Sequence, residues 1–164
     1  MRVLGIDSGS RVTGYGVIDG DGGDCAFVSC GVIRVSPSEP LAFRLNSIYR
    51  GIMEVISTAQ PDAAAFEGVF HALNVQSALK LGHVRGVCMA AAAEASLPVY
   101  EYSPAEVKSA VTGYGRADKP QVQQMVSVLL KLKTSPEEYD ASDALAVAIC
   151  HVHSNRLKQV VGGR

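Results

Sequence analysis

No run of apolar residues in this sequence approaches the roughly 18 needed to cross a bilayer as a helix, so no helical membrane span is expected. No signal-peptide pattern is present either, because Asp7 interrupts any apolar core that follows Arg2, and the expected location is the cytoplasm. Basic charge is not in surplus. Lys and Arg number 15 against 16 Asp and Glu, and a net charge of −1 neither supports nor excludes a nucleic-acid partner. Internal repeats, low-complexity tracts and domain linkers are lacking, so a single domain over residues 1–158 with a frayed tail at 159–164 is expected. Cysteines are few: Cys25, Cys30, Cys88 and Cys150 stand at irregular spacings among apolar or small neighbours, which reads as reduced core thiols. His151 and His153 follow Cys150 closely, but a second ligand pair for zinc is missing.

What is present suffices for a core. Apolar residues are 48% and charged residues 19% of the 164, a globular composition able to bury roughly two thirds of the unfolded surface. Val3, Leu4 and Ile6 make a short β-branched run that reads as a buried strand closed by Asp7 and turned by Ser8-Gly9-Ser10. Arg11 to Asp19 reads as a second strand in which Gly14 and Gly16 permit close backbone approach. Gly20 to Asp24 is a hairpin turn, and Cys25 to Val35 a third, antiparallel strand. After the stop at Ser36 to Pro40, Leu41 to Ala59 is an amphipathic helix with Leu41, Leu45, Ile48, Ile52, Val55 and Ile56 on one stripe.

Ala63 to Glu67 is a short buried strand that ends, like the first, on a carboxylate. Asn74 to Leu97 is a long helix whose Gly82, Gly86 and Ala90 to Ala93 leave room for another helix to approach. Pro98 to Tyr102 makes a fifth strand; Ser103 caps a helix through Val111, and Asp118 caps another over Lys119 to Leu132. The last helix runs from Asp140 to Leu157 with Leu145, Ile149 and Val152 as its apolar stripe.

Four carboxylates therefore sit at the ends of elements that adjoin apolar segments: Asp7, Glu67, Asp140 and Asp143, the last two sharing a helix face. Taken singly, each is a good turn or capping residue. Together they would repel one another without a cation, and hard oxygen ligands of this kind suit magnesium or manganese. Between Val107 and Pro136 the only acid is Asp118, against Lys108, Arg116, Lys119, Lys131 and Lys133, a basic stretch compatible with phosphate binding.

The order strand-Asp, two antiparallel strands, helix, strand-Glu and a late acidic helix resembles that of ribonuclease H-like nucleases. Several blocks narrow the likeness: Gly5-Ile6-Asp7-Ser8-Gly9, Glu67-Gly68-Val69-Phe70, Asn74 to Gly82, Arg85-Gly86, Glu106-Val107-Lys108, Ala117-Asp118-Lys119 with Gln121-Val122-Gln123, and Asp140 to Ala146. Nearly the whole chain, in order, resembles the RuvC-type Holliday junction resolvases.

That resemblance implies an α/β, ribonuclease H-like fold with a five-stranded mixed sheet, its first three strands antiparallel, flanked by helices. It implies a homodimer that nicks two strands of like polarity at a four-way DNA junction and works with a branch-migration motor of the RuvA and RuvB type. Asp7, Glu67, Asp140 and Asp143 would hold two Mg2+ per site, with Mn2+ able to substitute. Phe70 would stack on bases at the crossover, and Lys108 and Lys119 would meet phosphate near the cut. Lys80, Arg85 and Arg116 are further DNA-binding candidates. Another ribonuclease H-like nuclease and a junction-binding protein without catalysis are the alternatives.

Overall fold

The computed structural model describes residues 1–21, 23–68 and 75–162, with 156–162 described as helical backbone only. Its elements are β1 (Arg2–Asp7), β2 (Val12–Asp21), β3 (Asp24–Arg34), α1 (Leu41–Ala59), β4 (Ala63–Glu67), α2 (Val75–Glu94), β5 (Val99–Tyr102), α3 (Pro104–Thr112), α4 (Lys119–Leu129) and α5 (Tyr139–Gly162). The five strands form one sheet in the order β3-β2-β1-β4-β5. β1, β2 and β3 are antiparallel neighbours, whereas β4 runs parallel to both β1 and β5. This is the mixed, ribonuclease H-like sheet expected above.

Side chains alternate across a strand, and here the alternation sorts the protein into two cores. Leu4, Ile6, Val17 and Phe66 point to one face, where they meet Ile48, Ile52 and Ile56 of α1 and Val84, Cys88 and Ala91 of α2. Val3, Ile18 and Ala65 point to the other, against α3, α4 and α5. Each large side chain so buried contributes about 1.5–3 kcal/mol. The same alternation carries Asp7 and Glu67 to the α5 face, two residues beyond Gly5 and Ala65. Their shared face is a consequence of period two.

α5 packs against all of β1, β2 and β3 and is buried nearly all round from Ala141 to Val152, well beyond the Leu145, Ile149, Val152 stripe. Glycine makes this possible. A Cβ on Gly5 would stand 2.0 Å from the Ala144 carbonyl oxygen, one on Gly14 2.0 Å from that of Asp140, and one on Gly16 2.7 Å from the Leu145 nitrogen. Hydrogen in place of a side chain lets the helix backbone rest on the sheet backbone. Gly14 and Gly16 fulfil the close approach expected of them; Gly5 joins them because it pairs with Gly16 in the ladder.

Several boundaries differ from expectation. β2 runs to Asp21, which pairs with Asp24, so the two strands extend into the stretch expected as a five-residue turn. Gly23 has φ 105, a conformation glycine adopts without steric cost. α4 ends at Leu129 because Lys131 turns left-handed (φ 52) just after it. α5 continues to Gly162. On α1, burial starts only at Ile48, and Leu41 is 41% exposed. Ser103 and Asp118 cap their helices as expected, each in a reciprocal capping box, with Glu106 and Gln121.

Candidate active site

The register of β1 against β4 sets Ile6 beside Phe66, so Asp7 and Glu67 emerge together at the carboxyl ends of two parallel strands. Ligands of open α/β sheets bind outside such ends. Asp140 and Asp143, one turn apart at the start of α5, are lowered onto this edge by the contact between Gly14 and the Asp140 backbone. Two strands and one helix thus deliver four carboxylates to a single place.

Their electrostatics record that proximity. Burial, then the charges of Asp143, Glu67 and Asp140, push the Asp7 carboxyl up to about 7. Glu67 is raised too, by burial first and Asp143 second, with Lys119, Lys108 and Arg85 opposing. Lys119 Nζ donates to Asp143 Oδ2 at 3.1 Å, and that bond, together with the charges of Asp143, Asp7 and Asp140, strengthens its hold on its proton. A half-buried site whose acids are this poorly neutralised is short of positive charge.

Hard oxygen donors with an unbalanced negative field fit a divalent cation such as Mg2+ or Mn2+. Among the described residues, no three Asp, Glu, His or Cys groups are gathered at metal-ligand spacing. Lys119 engages one of the four, Asp143. The fit to a metal therefore rests on donor chemistry and charge, not on a ready-made ligand shell.

Lys108 lies near enough for its charge to oppose the rise at Glu67. Arg85 is turned onto the end of β4. It donates from Nη1 to the Glu67 carbonyl oxygen, pairs from Nη2 with Glu101 at 2.6 Å, and lies 5.6 Å from the centre of the Phe66 ring. Its side chain is 13% exposed. It fastens the end of β4 that presents Glu67, a role its place beside Gly86 in the sequence did not announce. Arg85→Met is expected to lower stability to urea by about 1.5–3 kcal/mol, the range for hydrogen bonds to a charged group; a loss below about 0.5 kcal/mol would remove it from that role.

The remaining candidates are scattered. Lys80 is exposed on the second turn of α2, in a separate cleft, and Arg116 is exposed in the loop before α4. Lys131 and Lys133 lie past the far end of α4 from Lys119, so the basic stretch of sequence does not form one face. Phe70 lies outside the described residues. All four cysteines are free thiols, Cys88 and Cys150 buried. His151 is held by the Tyr102 hydroxyl (2.8 Å) and His153 by the Ala110 carbonyl (3.0 Å).

The family profile described as crossover junction endodeoxyribonuclease RuvC matches residues 3–151, a span that includes all four carboxylates. A crossover junction endodeoxyribonuclease RuvC from Syntrophotalea carbinolica is 55% identical over 161 residues, 98% of this chain and 99% of that one. The one from Geobacter sulfurreducens is 53% identical over 163 residues, 98% of each. Among solved structures, Thermus thermophilus RuvC in complex with Holliday junction substrate superposes with a TM-score of 0.91 at 36% identity, covering 96% of both chains. A paired-carboxylate edge, a ribonuclease H-like sheet and full-length similarity converge on one conclusion: this chain belongs to the RuvC family of crossover junction endodeoxyribonucleases.

Proposed function

We propose that the protein resolves four-way DNA junctions by nicking two strands of like polarity, one in each subunit of a homodimer, in recombination and repair. The observation that carries this is the convergence of Asp7, Glu67, Asp140 and Asp143 on one sheet edge, where acid neighbours and burial raise Asp7. Mg2+ is the cofactor, two ions per site, with Mn2+ able to substitute. Asp7, Glu67, Asp140 and Asp143 would hold the ions, which when bound would supply an activated water and charge stabilisation at the leaving oxygen of a phosphodiester.

The chain's own residues prepare that step. Asp7 and Glu67 fix oxygen donors on rigid strands, and Asp140 and Asp143 complete the set from a helix that the glycine seam prevents from sliding. Lys108 and Lys119 place positive charge beside the scissile phosphate, where charge builds up as the bond breaks. Phe70 stacks on bases at the crossover, and Arg116 adds a phosphate contact. Arg85 serves as a positioning residue for Glu67. The partners are a four-way junction and a branch-migration motor of the RuvA and RuvB type, in the cytoplasm; among the described residues, no helix is long and apolar enough to cross a membrane.

Purified protein with a synthetic four-way junction, each strand labelled in turn, tests the assignment across a divalent-ion series. Symmetric nicks in one opposed strand pair are expected with Mg2+ and not in chelator. Cleavage of RNA–DNA hybrids in preference to junctions, or binding without cutting, would replace it. Lys119→Met is expected to lower the cleavage rate about 10²-fold, in line with the loss of one transition-state donor, while junction affinity falls much less. Equal losses in both would reduce Lys119 to a backbone contact.

The dimer is assigned to the exposed face of α2. A Cβ added to Gly82 or Gly86 meets nothing within 4 Å, and Leu79 on the same face is 58% exposed. Gly86→Arg is then expected to act in opposite directions. The monomer has room for it and gains up to about 1 kcal/mol of helix propensity, whereas a helix packed on that face loses its seat. Sedimentation should find monomer; a dimer of unchanged strength would place the interface elsewhere.

A further inference from the structure

One charged cleft lies outside the carboxylate pocket. It is bounded by the loop after β1, the first turns of α1 and the first turns of α2, and Ser10, Arg11, Arg44, Ser77 and Lys80 line it. Three cations from three different elements meet there. Among the described residues that line it, none is acidic and none is aromatic.

The cleft is built before any ligand arrives. Arg44 donates from Nη2 to the Ser10 carbonyl oxygen, while its Nε is buried without a partner among the described residues. Thr13 Oγ1 donates to the Gly9 carbonyl oxygen at 3.2 Å, and Val35 N donates to that of Arg11 at 3.1 Å, so the loop is pinned at both ends. Arg11 and Lys80 are exposed and form no ion pair among the described residues, unlike Arg2, Arg34, Arg85 and Lys119. Gathering like charges is unfavourable unless an anion is shared among them. A guanidinium that offers a buried N–H suits an anion with several acceptor oxygens.

The loop also ties this cleft to the reaction. Asp7 ends β1, and Arg11 stands four residues later, immediately before β2. A strand whose scissile phosphate lies at Asp7 would therefore present neighbouring backbone phosphates along the same loop. With no ring among its described lining to stack a base, the cleft reads sugar-phosphate backbone and not sequence.

We infer that Arg11, Arg44 and Lys80 form a second phosphate-binding site that grips the DNA backbone away from the cut. This deepens, and rests on, the reading of the protein as a junction nuclease. The shared chemistry is that of a phosphate group; the source assigned here is DNA.

The test is the salt dependence of junction binding by the full-length protein in Ca2+ or chelator, where cleavage does not intervene. Each phosphate neutralised contributes about 0.9 to the slope of log affinity against log salt. Arg11→Gln with Lys80→Gln is expected to make that slope shallower by about one to two, and Lys80→Glu alone to weaken binding further at low salt. Arg50→Gln with Lys131→Gln removes the same two charges from exposed positions outside the cleft and should leave the slope unchanged. Orthophosphate at matched ionic strength should not compete.

An unchanged slope in both cleft variants, with junction binding by the unaltered protein intact, would overturn the second site alone. So would an equal change in the Arg50 and Lys131 control, which would reduce the effect to net charge. Selective competition by orthophosphate that the cleft variant loses would assign the cleft to a free anion instead. If the unaltered protein binds no junction, the nuclease reading falls together with the site.

Discussion

Asp7→Asn is expected to lower junction cleavage by about 10²–10³-fold while making the metal-free protein more stable at neutral and alkaline pH. Asn keeps the size of the side chain but removes the charge that burial and three other acids disfavour. The sign follows from proton linkage. The Asp7 carboxyl titrates at about 7 in the fold against 3.8 in the unfolded chain, so between those values the folded state holds the extra proton and stability falls as pH rises. The penalty is absent below about pH 4 and complete above about pH 7. Each pKa unit corresponds to about 1.4 kcal/mol, which sets a gain of about 2–4 kcal/mol for Asn at pH 8 in chelator.

Urea melts at pH 4.5 and pH 8 check it. The gap between Asp7→Asn and the parent should be large at the higher pH and small at the lower. Mg2+ should stabilise the parent by binding its folded state and leave the variant nearly unmoved, a readout that needs no catalysis. Glu67→Gln is expected to follow the same pattern, since Glu67 is also raised. Asp140→Asn and Asp143→Asn should lose cleavage with junction binding retained. If any of the four loses stability at pH 8 and binding together, with normal activity per bound junction, that acid is structural and the reaction centre lies elsewhere.

The second large effect comes from a residue that carries no functional group. Gly14→Ala puts a methyl 2.0 Å from the Asp140 carbonyl oxygen and 2.4 Å from its carbon. Both are backbone atoms, so no rotamer relieves the overlap, and either the strand or the start of α5 must retreat by more than an ångström. Overpacking of this kind costs about 1–3 kcal/mol or more. Misplacing a reacting geometry by about 1 Å costs about 10²-fold in rate. Both losses are expected together, because the atom struck belongs to one of the four acids.

Gly86→Ala supplies the contrast, since its Cβ meets nothing within 4 Å in the chain and should add up to about 1 kcal/mol to the monomer. Thermal unfolding with single-turnover cleavage distinguishes the cases. A Gly14→Ala protein with native stability and rate would mean that α5 is not held by this contact.

Much of the molecule was legible in the chain before any coordinates. α1 over Leu41–Ala59 and β4 over Ala63–Glu67 fall where the periodicity and the Gln60-Pro61-Asp62 stop put them. The N-caps at Ser103 and Asp118 are local, each bonding a residue three positions on, and so were readable locally. The four acids were conspicuous for the same reason: each stands at the end of an apolar segment, where a charge is out of place.

Long-range choices were not written in that way. Arg85 reads as one more exposed cation of a long helix, yet the fold turns it onto the Glu67 carbonyl and Glu101, sixteen residues ahead. The basic stretch from Lys108 to Lys133 looks continuous in sequence. Left-handed backbone at Lys131 and the length of α4 separate its two ends, leaving Lys119 on Asp143 and Lys131 far from the site. Gly5 gave no sign of its part, because its importance depends on pairing with Gly16 and on which face α5 covers.

The sequence by itself determined the elements, their caps and the identity of the acids, because periodicity, turn chemistry and charge beside apolar runs act over a few residues. Only the tertiary structure decided that Asp7, Glu67, Asp140 and Asp143 share one edge, that Arg85 supports them and that Arg11, Arg44 and Lys80 line a cleft of their own. Those outcomes depend on sheet register and on how closely a helix backbone can approach a glycine seam, and both are set by contacts between residues far apart in the chain.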